Sequence, residues 1–205
     1  MRRTLAMRRL RRDICAVPRR SLADVAEDAV VRVTGIARPL GPVLEAPLSG
    51  RVCVCYAIVV YEWRRDGSVS QLTTEEERVE FALDDELDDH AVIDPANATV
   101  SVAFDHTTEW FPRGISSPAA MALLERRGFT GRTWKEPWSE TRSLECCEAI
   151  VEVDERIAVV GTGIHEPDPR APPAAGYRDG ARAQRLRIAG SSRQRLVISD
   201  DPRTF

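Results

Sequence analysis

Three kinds of side chain in this 205-residue chain could do chemistry: five cysteines, three histidines and the carboxylates near them. Cys53 and Cys55 alternate on one face of an apolar run, while the adjacent Cys146 and Cys147 point to opposite faces of another. A structural zinc site needs four ligands converging on one ion, usually from C-x(2–4)-C knuckles in turns. A C-x-C inside a strand and a vicinal pair make poor knuckles, and free cysteine is among the most commonly buried residues. The expectation is core thiols, no metal and no cofactor. An odd cysteine count without framework spacing also points to a reducing compartment.

His90, His106 and His165 each have an acidic neighbour (Asp89, Asp105, Glu166), but none stands in an HExxH or GxSxG setting. No catalytic residue is expected. The acidic runs Glu75 to Glu77 and Asp84 to Asp89 lack the alternating-oxygen spacing of a calcium loop and read as solvated turns. Glu148 is different. It interrupts the apolar segment Cys146 to Val151, where a carboxylate must find donors or stay at the rim. Hydrogen-bonding a loop or pairing with an arginine is the expected role, and contact with a ligand is the lesser alternative. Trp110, Trp134 and Trp138 could stack on single-stranded nucleic acid, but stacking platforms lie in basic grooves. In an acidic body they fit internal packing or a partner protein better.

The charge is unevenly spread. Residues 1–20 hold eight arginines against Asp13, a net +7; the whole chain carries −3, so residues 21–205 carry −10. An acidic body makes nucleic acid an unlikely partner for the fold itself. In the basic arm, 1–20, the apolar residues Met7, Leu10, Ile14 and Val17 recur at helical spacing, with Arg2, Arg3, Arg8, Arg9, Arg11 and Arg12 falling largely elsewhere. Two readings stay open: an interfacial helix contacting an anionic surface, and a frayed tail. Lys135 is the only lysine, which suggests GC-rich codons and a bacterial source. No secretory signal is expected, and the longest apolar run, Val52 to Tyr61, is half the ~20 residues a membrane helix needs.

The elements that must position these residues are mostly short strands. Val30 to Ala37 is β-branched and ends at Pro39, Gly41 and Pro42, and Val52 to Tyr61 reads as a strand buried on both faces and central to the core. Asp66-Gly67 marks a hairpin turn. Further strands are expected at Val69 to Thr73, Val79 to Leu83, Ala91 to Asp94 and Thr99 to Phe104. Leu144 to Val153 should form a hairpin with Arg156 to Val160, and Arg185 to Ile188 another with Arg195 to Ser199. Gly161 to Gly180 reads as a proline-rich loop. Residues 105–142 form an excursion containing one helix, from Ser117-Pro118 to Gly128, that should cover one mouth of the sheet structure. The fold class expected is mainly β: a small OB-like barrel with one short helix and long loops, the single domain spanning 21–205.

One block is more specific. The strand with Val33 and Gly35, the corner Pro47-Leu48-Ser49-Gly50-Arg51 followed by Cys53, Val54 and Tyr56, and the ending Val60 and Glu62 resemble the GIDE domain. That domain occurs in the membrane-anchored RING E3 ubiquitin ligases of the MULAN type and in many bacterial proteins. Glu148, the segment Arg156 to Gly161, and Leu196 to Asp200 are similar to the family's later strands. The resemblance implies an OB-like barrel with Gly35, Pro47, Leu48, Ser49, Gly50, Cys53, Tyr56, Glu148 and Gly161 as its core motif. It does not bring ligase activity, because a RING needs eight spaced Cys/His ligands. The expected function is a non-enzymatic binding module for a protein partner or a membrane surface, cytoplasmic and at most peripheral at the inner membrane. A nucleic-acid or nucleotide-binding OB-like protein is the alternative.

Overall fold

The computed structural model describes residues 2–64, 66–87, 89–102, 104–110, 118–128, 142–170 and 184–205. Alternation decides the architecture. Along β1 (Val30–Pro39), Val31, Val33 and Ala37 are buried, and along β10 (Arg156–Pro167) so are Ile157 and Val159. Phe81 and Leu83 of β5 (Phe81–Asp84), Ala91 and Ile93 of β6 (His90–Ile93), and Leu186 and Ile188 of β11 (Gln184–Ala189) join the same core. These five strands close on themselves in the order β1-β5-β6-β11-β10, with β10 returning antiparallel to β1 from Val30↔Thr162 to Ile36↔Arg156. Numbered along the chain, the barrel runs 1-2-3-5-4-1, and its third and fifth strands are parallel. This is OB connectivity.

So narrow a barrel leaves little room inside. Gly35 faces Ile157, and Gly161 faces Val31, across the closing ladder. A Cβ on Gly35 would fall on the Asp84 carbonyl, and one on Gly161 would lie 2.7 Å from both Ile188 and Leu196. Both glycines are required for closure.

The rest of the β structure is inserted in two places. Between barrel strands one and two come β2 (Leu44–Glu45), β3 (Val52–Arg64) and β4 (Val69–Arg78). Between strands three and four come β7 (Thr99–Ser101), β8 (His106–Trp110), α2 (Pro118–Arg126) and β9 (Arg142–Glu152). The inserts find each other: β3 pairs with β9 over Cys53↔Glu152 to Arg64↔Arg142, giving a second sheet ordered β2-β3-β9-β8, with β4 also on β3. One face of that sheet packs Tyr56, Ile58, Val60, Cys146 and Ile150 against Leu123 and Leu124 of α2. The other face gives Val54, Cys55, Ala149 and Val151 to the barrel core, plugging one end of the barrel. β12 (Val197–Ser199) lies beside β10 and carries β7 on its far side.

Several expectations are corrected here. Val52 to Tyr61 is the central strand of the second sheet, not of the barrel. It is buried on both faces only at its start, and beyond Tyr56 one face is partly open. Leu144 to Val153 and Arg156 to Val160 are not a hairpin, since β9 and β10 belong to different sheets. Nor do the last two strands pair with each other: β11 and β12 lie end to end along β10. β10 continues through Gly161 to Pro167 where a loop was expected, and Glu75 to Glu77 lie inside β4. His106 to Trp110 is a strand within the expected helix-and-loop excursion, and α2 covers the second sheet rather than a barrel mouth.

The arm also has structure. α1 (Arg2–Ala16) places Ile14, 2% exposed, against Val160 and Val197, with Leu10 and Val17 packed beside them. Arg20 and Arg32 then bond as neighbouring strands would (Arg20 N to Arg32 O, 2.9 Å; Arg32 N to Pro18 O, 3.1 Å). A frayed tail is therefore excluded for residues 8–20. No helix among the described residues is long and apolar enough to cross a membrane.

Candidate functional site

The Pro47–Gly50 corner of the motif meets Glu148. Its side chain is fully buried opposite Ile58 on β3 and His106 on β8. Its carboxylate accepts the backbone N–H of Leu48 at 2.7 Å and of Ser49 at 3.0 Å. The Pro47–Gly50 corner supplies both amides because Gly50, at φ +71°, turns the chain back so that its N–H reaches the Ala46 carbonyl. Leu48 and Ala46 pack below the corner in the second core. The carboxylate thus fastens a loop to the sheet. Two charge-assisted hydrogen bonds to fixed amides offset the cost of burying it.

The cysteines do not converge. A bulge in β3 between Cys53 and Cys55 turns Cys53 into the second core and Cys55 into the barrel core, so they do not share a face as the alternation suggested. Cys146 and Cys147 stand opposite Val60 and Val59, near the middle of the ladder and well along β3 from Cys53. Burial pushes the Cys53 thiol up to about 11, with Glu148 and Glu77 adding to the rise, and Cys55 and Cys146 up to about 12. Such thiols are poor ligands and poor nucleophiles. Among the described residues no group of three or more His, Cys, Asp or Glu is arranged to hold a metal ion. The histidines sit on three strands, β6, β8 and β10, and His165 contacts Glu27 at 3.0 Å.

On an OB barrel the face of strands two and three, here β5 and β6, is where oligonucleotides lie. Ala82 and Val92 form its floor, in one row with Arg38 and Arg187. Arg187 reaches Glu80 (2.5 Å), Asp94 (3.1 Å) and Glu166 (3.6 Å); Arg185 also reaches Glu166, and Arg38 pairs with Asp84 and Asp154. Each of these guanidinium groups is already neutralised by protein carboxylates. Sequence reading passed over them, although Arg185 and Arg187, two apart on a strand, necessarily share its outer face.

The arm contributes the other charged surface. With Leu10, Ile14 and Val17 turned to the barrel, Arg8, Arg9 and Arg12 are exposed, and Arg9 and Arg12 share the single acid Asp13. Arg11 lies over Asp201, and Arg19 and Arg20 are exposed on the segment leading to Leu22. The side chains of Arg2, Arg3 and Met7 lie outside the described residues, as do those of Trp110, Trp134 and Trp138. The acid run of β4 is absorbed locally: Glu75 takes Arg126, Arg127 and the Tyr56 hydroxyl, while Glu77 takes the same hydroxyl at 2.9 Å.

Fold and surface together define a closed five-stranded barrel of OB connectivity, plugged by a sheet made from its own insertions and carrying a docked basic helix. Compared with protein families, curated proteins and solved structures, the chain matches none.

Proposed function

We propose that this protein is a non-enzymatic binding module of the GIDE type that attaches to an anionic membrane surface through α1, peripheral on the cytoplasmic side. The resemblance is supported by its distant blocks standing together: Glu148 holds the Leu48 and Ser49 amides, and Gly35 and Gly161 lie on the two strands that close the barrel. The observation that carries the membrane reading is the orientation of α1. Its apolar side is spent on Val160 and Val197, so it cannot insert; what remains outward is the exposed guanidinium groups of Arg8, Arg9 and Arg12. Binding is then electrostatic, at ~1 kcal/mol per basic residue near an anionic surface.

Nucleic acid is the alternative, favoured by the OB connectivity. It is opposed by the ion pairs that occupy the arginines of the β5–β6 face.

Co-sedimentation with phosphatidylglycerol vesicles tests the proposal. Substituting Arg8, Arg9 and Arg12 together by Ala should weaken binding about 100-fold, and 0.5 M salt (an assay condition chosen at roughly a 4 Å screening length) should abolish it. Equal binding to neutral vesicles, or by the triple variant, would refute it. Tight, saturable binding of a single-stranded oligonucleotide would favour the alternative.

A further inference from the structure

A groove of about 650 Å³ opens at the seam between the barrel and the second sheet. Three elements line it: the end of β4 with Glu76 and Arg78, the turn Ala96 to Thr99 before and into β7, and the β11–β12 loop with Gly190, Ser191, Ser192 and Arg195. The turn and the loop run side by side. β7 and β12 are parallel with Thr99 opposite Val197, so Asn97 and Arg195 each stand two residues before the paired position. The Thr99 N–H bonds the Leu196 carbonyl at 2.8 Å and ties them together.

The loop, Gly190-Ser-Ser-Arg-Gln-Arg195, is held in shape by its own chain. The Ser191 hydroxyl oxygen accepts the N–H of Arg193 (3.3 Å) and of Gln194 (3.2 Å) and the hydroxyl of Thr162 (2.9 Å). The Ser191 N–H reaches the Gln194 carbonyl at 2.7 Å, and the Gln194 amide caps the Arg195 carbonyl at 2.8 Å. Ser191 is fully engaged, whereas Ser192, Arg193 and Arg195 are exposed and make no ion pair with a described residue. Most arginines of the barrel and second sheet differ in this, having acid partners within 4 Å. Across the groove Arg78 pairs with Glu76 through its terminal nitrogen, and its Nε is buried without a hydrogen-bond partner. The groove therefore has the Glu76–Arg78 pair neutral, one uncompensated guanidinium at Arg195 and another on the same loop at Arg193. Hydroxyls and an amide, from Ser192, Thr99 and Asn97, surround them.

We infer that this seam groove binds a small phosphate ester, its phosphoryl oxygens held by Arg195 with Ser192, Thr99 and Asn97. A planar guanidinium fork with several neutral donors around it matches a tetrahedral anion with three terminal oxygens. The volume suits a metabolite-sized molecule. The site is separate from the β5–β6 face, whose arginines are occupied, and from α1.

The test is a ¹⁵N–¹H NMR titration of the full chain with inorganic phosphate and with glycerol 3-phosphate, and with sodium chloride at matched ionic strength. Saturable shifts centred on Asn97, Gly190 and Ser192 are expected with both phosphates and not with chloride, glycerol 3-phosphate binding the more tightly. R195A should weaken binding at least about tenfold, and S192A by a smaller factor, while R8A/R9A/R12A leaves it unchanged. Arg195 and Ser192 are exposed, so both variants should fold, which the dispersion of the same spectra reports. Non-saturating shifts, equal shifts with chloride, or unaltered affinity in folded R195A would overturn the inference.

Discussion

Replacing Glu148 by Gln is the sharpest probe of the second sheet, because it changes one atom's chemistry and almost no volume. In the native protein both carboxylate oxygens accept, from Leu48 N–H at 2.7 Å and Ser49 N–H at 3.0 Å, in a site with no solvent access. A glutamine side chain has one oxygen and one NH₂, so one amide keeps a weaker neutral bond and the other meets a donor. Downgrading one bond costs about 1 kcal/mol, and leaving a buried donor unmatched costs about 1–3 kcal/mol. The expected loss is about 2–4 kcal/mol, which for a chain of this length lowers Tm by roughly 5–15 °C. Urea unfolding at neutral pH measures it, with the m-value unchanged. Hydrogen exchange locates it, since the Leu48 and Ser49 amides should lose protection while β1 and β10 keep theirs. A variant within about 0.5 kcal/mol of the parent, or with undiminished protection at those two amides, would refute the reasoning.

Three further outcomes are expected. Gly35→Ala drives a methyl into the Asp84 carbonyl and should cost about 3 kcal/mol or more, while Gly41→Ala, with nothing within 4 Å of its new Cβ, should stay within about 0.5 kcal/mol; thermal melts separate them. Glu155 is raised from 4.5 to about 7, first by burial and then by Asp200 and Asp105, against the opposing pull of Arg51. The folded state therefore holds its proton more tightly than the unfolded chain, and the stability this gives below pH 4.5 is lost as pH rises through 7. Glu155→Gln should remove that slope and be about 1 kcal/mol more stable than the parent at pH 8, the site being only partly buried; denaturant unfolding from pH 4.5 to 8 checks this, and parallel curves would contradict it. Of the five cysteines, only Cys15 is exposed. Ellman's reagent at pH 8 should therefore titrate one thiol in the native protein and five after denaturation.

The strands themselves were legible from alternation or from apolar, β-branched runs bounded by turn formers. Val30 to Ala37, Val52 to Tyr61 and Arg185 to Ile188 all lie within strands, and Asp66-Gly67 turns the chain between β3 and β4. Sheet membership was not legible. Both expected late hairpins failed because pairing is decided by what a strand meets, and β9 meets β3, about 100 residues earlier in the chain. The end of β10 fell inside a segment expected to be loop for its prolines, yet the strand runs on to Pro167, and Gly161 and Gly163 within it each occupy a spot where another side chain (Leu196 for one, Val25 for the other) has taken the room of a Cβ. The bulge that separates Cys53 from Cys55 has no local signature in Val-Cys-Val-Cys. Glu148 stood out as a charge in an apolar strand and as part of the family-like motif, but its donors are backbone amides, which carry no side-chain signal. The arm's apolar spacing was visible, and its partners Val160 and Val197 were not, for they appear only once β10 and β12 lie together.

The nesting of the two insertions also constrains how the chain can be made. Barrel closure joins Val30 to Thr162, and the plug joins Cys53 to Glu152, so neither core has its full set of strands until most of the chain exists. The last barrel strand, β11, begins only at Gln184. A chain still emerging from the ribosome therefore carries β3, with Val54, Cys55 and Ile58 unburied, throughout the synthesis of roughly a hundred further residues. Topologies dominated by such distant pairings fold slowly and spend longer with strand edges open. The glutamates of β4, which pairs with β3 in a local hairpin, put charge beside that apolar strand early, well before β9 arrives to cover its other edge.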